Sequence, residues 1–515
     1  MPSVDERMVA RKRQWMPVAT AVAMTVGSSY FAMLVGVVQS ILVMRYLGPT
    51  FQGVRRTVDL ITKYAFNAHL GILHGVSRQL PIHLGEHDAE KVQDVEEVGF
   101  TWVIGLTLVA SLAMVGAGLM NPTGQKTTAI AIVIGGGWLL TQQAINLYRI
   151  IIRAWGNFAL LSVIGGVQTV LTFTATVYGA RHYGVIGAMA GSLVAWMATL
   201  GLFIAYSPAR IARPRFDVHI GLTLAKAGLP IAAYILADTL LRTVDATIVA
   251  GYYKAYQMGL YSLPLQIAGY LYAIPESAGF VIWPRILEAY GAAAGDLKAI
   301  RRQVVLPTLV AAHLMPVLAG LAYIALPPLV LAVVPKFQEA TAAAQVLALA
   351  SVFLALPMAS NSLLIALNQN VAVIVAKLLG AGASAAGCLW LVHHAGSLAQ
   401  MAAAAGIGYG LAAIVSVAIV LPHYTAGRLD TLKVFLSLLL PFGWSLAALG
   451  LSSVLTGLVV TPSSAGWGWA LCRGATFALL MVPVLAVGNR ETNLTRELAV
   501  IMRPTTPTKE VIRDE

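Results

Sequence analysis

The chain has 515 residues, 58% of them hydrophobic and only 11% charged, with a formal net charge of +12. Soluble globular chains carry about 25% charge, so the composition excludes that class and describes a polytopic membrane protein. In such a chain the excess of Lys and Arg bears on topology, and no nucleic-acid partner is expected.

The expected architecture is all-α. A basic N-terminal tail, residues 1–17 with Arg11, Lys12 and Arg13, precedes an apolar run from 18 to 44. That run is far longer than a signal-peptide core and reads as a retained first span. Further apolar windows, each long enough to cross about 30 Å of hydrocarbon, follow near 54–80, 98–120, 128–150, 159–180 and 185–206. A basic linker, 207–221, leads to spans near 222–250, 257–283, 304–334, 341–367, 371–393 and 398–421, and a closing pair near 433–459 and 466–488 precedes a tail, 489–515. The expectation is therefore about fourteen transmembrane helices: an N-lobe over 18–206, a C-lobe over 222–421, and helices 13 and 14 over 433–488.

Charge sets the expected orientation. With a cytoplasmic N-terminus, the tails and even-numbered loops hold 23 Lys and Arg and the odd-numbered loops hold 7, which places both termini in the cytoplasm. Near-constant offsets suggest an internal repeat. Tyr46–Gly53 and Tyr252–Gly259 recur 206 residues apart, Arg78 and Arg285 recur 207 apart, and the turns "AWGNF" and "LNQN" recur at about 212. Six helices per half makes the two halves parallel, related by an axis along the membrane normal. The two cysteines, Cys388 and Cys472, sit in apolar windows and form neither a disulfide framework nor a metal-ligand spacing. No metal or other cofactor is expected.

One span departs from its neighbours. "VRRTVDLITKYAFNAHLGILHGVSRQL", residues 54–80, carries Arg55, Arg56, Asp59, Lys63, His69, His74 and Arg78. As one continuous helix, it would align Arg56, Asp59, Lys63, Asn67, His74 and Arg78 along a single stripe. Against lipid, the central charges would cost about 2.5–3.5 kcal/mol each, more than the apolar residues of the segment return. The stripe should thus face water or partners. Asp59 and Lys63, at i and i+4, can pair, which leaves Arg56 without an acid on the stripe. Span seven repeats the device with Asp238, Arg242 and Asp245 on a face shared with Tyr234; span eight adds Gln266, Tyr270 and Glu276, and span eleven adds Lys377. A hydrated transport pathway between the halves accounts for all of these. Prolines at 230, 264, 275, 307, 316, 327, 328 and 357 can kink the helices of the second half.

The stretches "MRYLGPTFQGV", "IIRAWGNFALLS", "VDATIVAGYYKAYQMGLYSL", "IPESAGFVIWPRI" and "VVPKFQEA" resemble, in order and spacing, the signatures of polysaccharide flippases (O-antigen and exopolysaccharide) of the multidrug, oligosaccharidyl-lipid and polysaccharide exporter (MOP) superfamily. The match runs from about Arg45 to Ala340. Two departures stand out: Asp245 is followed by Ala246 where relatives often have a base, and span two is unusually charged. The resemblance implies alternating-access transfer of an undecaprenyl-diphosphate-linked oligosaccharide across the bacterial inner membrane, with membrane lipid, a polysaccharide polymerase machinery and a proton or sodium counter-ion as partners. On this reading Arg56, Lys63, Asn67, His74, Arg242 and Lys377 bind substrate, since Arg in particular matches phosphate oxygens, and Asp59, Asp238, Asp245 or Glu276 couple to the ion. A lipid II flippase and a multidrug extruder of the same superfamily are the alternatives. No sizeable loop, nucleotide-binding glycine pattern or metal-type acidic cluster suggests an enzyme.

Overall fold

A computed structural model of the chain describes residues 18–120, 124–207, 214–292, 301–367, 369–425, 427–459 and 466–492. The expected tail 1–17, residues 208–213 of the basic linker and residues 493–515 of the C-terminal tail lie outside the described residues.

The described residues form α1 (Val18–Ala65), α2 (Ile72–Glu86), α3 (Ala89–Met120), α4 (Lys126–Ala154), α5 (Phe158–Tyr206), α6 (Val218–Tyr252), α7 (Ala255–Ala292) and α8 (Arg301–Val333). They continue with α9 (Thr341–Ala355), α10 (Met358–Ala366), α11 (Asn370–His393), α12 (Leu398–Tyr424), α13 (Arg428–Gly457) and α14 (Trp467–Thr492). Short 3-10 turns occupy Phe66–His69 and Pro335–Ala340, and no strand occurs among the described residues. Helices satisfy their own backbone groups, which hydrocarbon cannot do. The helix starts are capped where the sequence allows it: Asn157 Oδ1 accepts the Leu160 amide at 3.1 Å, and Asp217 Oδ1 accepts that of Ile220 at 3.0 Å.

Eleven stretches are long and apolar enough to cross a membrane by length and composition. Two of them are divided internally. α1 breaks at Gly48 (φ 69°), where the following Pro49 disfavours a helical conformation and only glycine takes the left-handed one without strain. α5 breaks at Gly184 (φ 64°). Its two arms form a tight hairpin, because a Cβ on Gly179 would stand 2.0 Å from the Gly187 carbonyl oxygen and one on Gly191 2.3 Å from that of Ala175. With these divisions and the 38-residue α7, the chain is an all-α, multi-pass membrane protein of about fourteen spans. Of the prolines expected to kink the second half, Pro357 stands at the break between α9 and α10, while Pro230 lies inside α6, Pro264 and Pro275 inside α7, and Pro307, Pro316, Pro327 and Pro328 inside α8.

The expected second span differs in one respect that matters. It is not a continuous helix. The second arm of α1 ends at Ala65, the 3-10 turn follows, and Leu70 (φ 51°) and Gly71 (φ 84°) turn the chain before α2 starts at Ile72. The single stripe drawn at 100° per residue therefore stops at Lys63. Asn67 lies in the turn, while His74 and Arg78 belong to α2, where Arg78 is exposed.

The described residues group into two compact units. The first comprises Met1–Ile267, Leu329–Leu347 and Asn370–Ala412. In it, Val43, Leu47, Val54 and Val58 of α1 pack with Ile132 and Leu139 of α4 and Ala188 and Met189 of α5. The second comprises Ala268–Pro328, Ala348–Gln369 and Ala413–Glu515. There α13 and α14 pack on α8 through Ala448, Leu449, Phe477 and Met481 against Val317 and Ile324, and Arg473 of α14 donates to the Leu449 carbonyl at 3.1 Å.

Candidate functional site

Close backbone approach positions the charged residues of the first unit. α2 lies on α6 at glycines: a Cβ on Gly228 would stand 2.0 Å from the Gly71 carbonyl oxygen, and one on Gly75 2.0 Å from that of Leu224. Small residues are what allow helices to meet this closely in a membrane. One turn before the break, the Tyr64 hydroxyl bonds Thr243 Oγ1 at 2.8 Å and Thr247 Oγ1 at 2.9 Å, both on α6. These contacts set the end of α1 that carries Lys63 against the stretch of α6 that carries Arg242 and Asp245.

The ion pairs differ from those expected. Arg56 pairs with Asp59 at 3.6 Å, so Asp59 is engaged one turn back and not by Lys63. Lys63 has no ion pair among the described residues. Asp238 accepts from two cations, Arg242 Nε at 3.0 Å and Lys377 Nζ at 2.5 Å, and Lys377 also lies 5.1 Å from the centre of the Tyr234 ring. Lys377 is buried, whereas Arg242 is partly exposed.

The expected Asp238–Arg242–Asp245 unit is thus corrected. The linked set is Arg242–Asp238–Lys377, and Asp245 is fully buried elsewhere, accepting the Tyr261 hydroxyl at 2.6 Å on Oδ2. The distance along the helix explains the change: Arg242 is one turn from Asp238, while Asp245, on the same face, lies two turns and about 10 Å further along α6, where α7 supplies Tyr261. Nothing in the sequence pointed to Tyr261, because an aromatic residue in an apolar run carries no signal of its partner. Gln266 accepts the Ser40 hydroxyl. Asn67 Nδ2 reaches the Lys63 carbonyl at 3.4 Å, and the His74 ring lies 5.2 Å from that of His69. Glu276 is exposed and belongs to the second unit, so it is not part of the group formed within the first.

The first unit thus holds four cations, Arg56, Lys63, Arg242 and Lys377, and three carboxylates, Asp59, Asp238 and Asp245, on α1, α6 and α11. With all seven ionised the group is a net cation, and Lys63 is its cation without an ion pair among the described residues. Such a group can hold an anion.

No protein-family model and no curated protein matches this sequence. Solved structures do. The lipid II flippase MurJ, in an inward closed conformation, superposes with a TM-score of 0.65 at 14% identity, over 90% of this chain and 98% of that one. A multidrug-resistance MATE transporter of the MOP superfamily, in an inward-facing conformation, gives 0.57 at 16% identity over 84% and 99%. The chain has the fold of the MOP-superfamily transporters. A further member, from Pyrococcus furiosus and described as having a binding pocket of reverse polarity, gives 0.54 at 13% identity over 86% and 96%. Identities this low speak for the fold alone.

The Asp238 set makes a prediction independent of any substrate. Removing one member of a buried ion set leaves the others uncompensated, at about 3–5 kcal/mol. Asp238→Asn should therefore lower the thermal midpoint of the purified protein sharply, and adding Lys377→Met should restore most of it. A double variant no more stable than the single one would show that the two groups are not linked.

Proposed function

We propose that the chain is a flippase that moves an undecaprenyl-diphosphate-linked oligosaccharide from the cytoplasmic to the outer leaflet of the bacterial inner membrane by alternating access, for surface polysaccharide synthesis. The observation that carries the reading is Lys63: a cation within a span, without an ion pair among the described residues, next to the Tyr64 contact with the stretch of α6 that carries the partly exposed Arg242. A diphosphate cannot enter hydrocarbon bare, and a guanidinium fork beside an ammonium supplies charge-assisted bonds to its oxygens. In this role Lys63 and Arg242 receive the diphosphate, while Arg56 and Lys377 are held back by their carboxylates. Asn67 and His74 lie beyond Lys63, at and after the break, and take no part in this contact; the polyprenyl tail stays in the bilayer. The cytoplasmic termini follow from the charge asymmetry of the loops. Asp59, Asp238, Asp245 and Glu276 remain the carboxylates open to a coupling ion, Asp245 standing out by its burial.

A second reading, lipid II transfer, is favoured by the likeness to MurJ over nearly the full length of both chains. It needs the same diphosphate recognition and differs in the sugar. The multidrug reading asks the site to hold organic cations, which a net-cationic group with Lys63 at its centre opposes. Binding separates these readings. Purified protein should bind farnesyl diphosphate, and ethidium should not compete. Ethidium binding that farnesyl diphosphate leaves untouched would reverse the assignment.

A further inference from the structure

The break in span two gathers polar groups that the diphosphate site does not use. His69 is completely buried, and the Gly71 amide donates to its Nδ1 at 3.1 Å. An amide can only donate, so Nδ1 is the acceptor and the neutral ring carries its hydrogen on Nε2. That Nε2 has no partner among the described residues. Neither has the buried Nε2 of His74, whose ring meets that of His69 edge to face. Gln143 of α4, also completely buried, donates through Nε2 to the Phe66 carbonyl at 3.3 Å, which leaves its Oε1 unpartnered beside the turn, and Asn67 Oδ1 in the turn is unpartnered as well.

This donor set selects its occupant. A ring nitrogen bearing hydrogen does not ligate a cation, and two amide oxygens repel an anion. A donor at His69, two acceptors at Asn67 and Gln143, and a His74 nitrogen able to act either way suit water, which donates twice and accepts twice. Unpartnered and dry, each buried polar group would cost about 1–3 kcal/mol.

We infer that the break at Phe66–Gly71 is a hydrated proton site, in which the His69–His74 pair takes up and releases the proton that accompanies transport. The inference deepens the flippase reading by naming a proton, not sodium, as the coupling ion. The geometry also supplies the link to movement. A proton arriving at His69 can add only at Nδ1, the nitrogen that accepts from Gly71; the N–H bond formed there faces the amide N–H, and the Gly71 bond is lost. Gly71 is the residue whose carbonyl touches Gly228 of α6. Protonation therefore loosens the turn where α2 rests on α6, and loss of the proton restores it.

The surroundings leave the pair to itself. α6 presents Gly228 and Leu224 to the break, and α4 presents Gln143 and Leu147. The Phe66 ring packs among apolar residues that include Val103 and Met114 of α3. The titratable group in contact with the His69 ring is His74, edge to face.

The test uses the full-length protein with His69→Gln and His74→Gln, singly and together; a glutamine oxygen can still accept from Gly71 but does not titrate. Two readouts are taken. In unbuffered detergent solution, acidification from about pH 8 should load the wild type with more protons than the double variant. In proteoliposomes, flipping of a fluorescent farnesyl diphosphate should accelerate under a pH gradient and not under a sodium gradient. The double variant should lose that acceleration while keeping gradient-free flipping. Equal proton uptake by wild type and double variant overturns the proton site, whether or not the protein flips lipid. Acceleration by sodium alone, or a pH response that survives in the double variant, overturns it too. Failure of the wild type to flip the probe at all, with the proton difference intact, counts against the flippase reading and not against the proton site.

Discussion

Cells lacking their own flippase and expressing Lys63→Glu are expected to make no surface glycan and to accumulate lipid-linked oligosaccharide on the cytoplasmic leaflet, with the protein at wild-type abundance in the membrane. Lys63 is exposed and has no ion pair among the described residues, so folding does not rest on it. Its reversal turns a net-cationic group into a net-anionic one. It also sets a new carboxylate one turn from Asp59. At an effective dielectric constant of about 20, a unit charge about 4 Å away contributes about 4 kcal/mol, so exchanging attraction for repulsion removes useful affinity for a diphosphate. Lys63→Arg keeps the charge and should keep most of the activity. Normal surface glycan with Lys63→Glu would mean that the substrate passes elsewhere.

The second large effect concerns α1 and α7. A Cβ on Gly259 would stand 1.7 Å from the Pro49 carbonyl oxygen, and one on Gly53 1.8 Å from that of Ala255. The obstacle is backbone in both cases, so no side-chain rotation relieves it, and the helices must part. On the proposed orientation this contact closes the outer end of the pathway. Gln52, completely buried beside it, has both amide atoms unpartnered among the described residues. Gly259→Ala should hold the arms apart. Spin labels at Thr50 and Lys254 should then separate by several ångströms relative to the wild-type background, and transport should stop while farnesyl diphosphate still binds. An unchanged distance together with full transport would remove the gate.

The sequence made the class of the fold legible because hydropathy in a membrane is a direct physical requirement on each span, and because charges are too costly to scatter at random through one. Arg56, Lys63, Asp238, Arg242 and Lys377 were all readable on that ground. Their pairing was not. Periodicity says which residues share a face of one helix, but Lys377 reaches Asp238 and Tyr261 reaches Asp245 from other helices, at separations that one sequence does not encode. The break at Phe66–Gly71 was half legible: Gly71 and Gly75 flank "ILH" in the middle of span two, a spacing suited to close helix contact, yet the charged stripe suggested an unbroken helix and masked it. Gln143, in an otherwise ordinary fourth span, gave no signal of its contact with the turn.

The central claim is that the cationic group around Lys63 carries a lipid diphosphate across the bilayer. The direct measurement is reconstitution of the purified protein in liposomes with an undecaprenyl-diphosphate-linked oligosaccharide, following its arrival in the outer leaflet with an impermeant glycosidase. The account predicts transfer that depends on the protein, slows steeply with Lys63→Glu and survives Lys63→Arg. Transfer at equal rates in protein-free, wild-type and Lys63→Glu vesicles would contradict it.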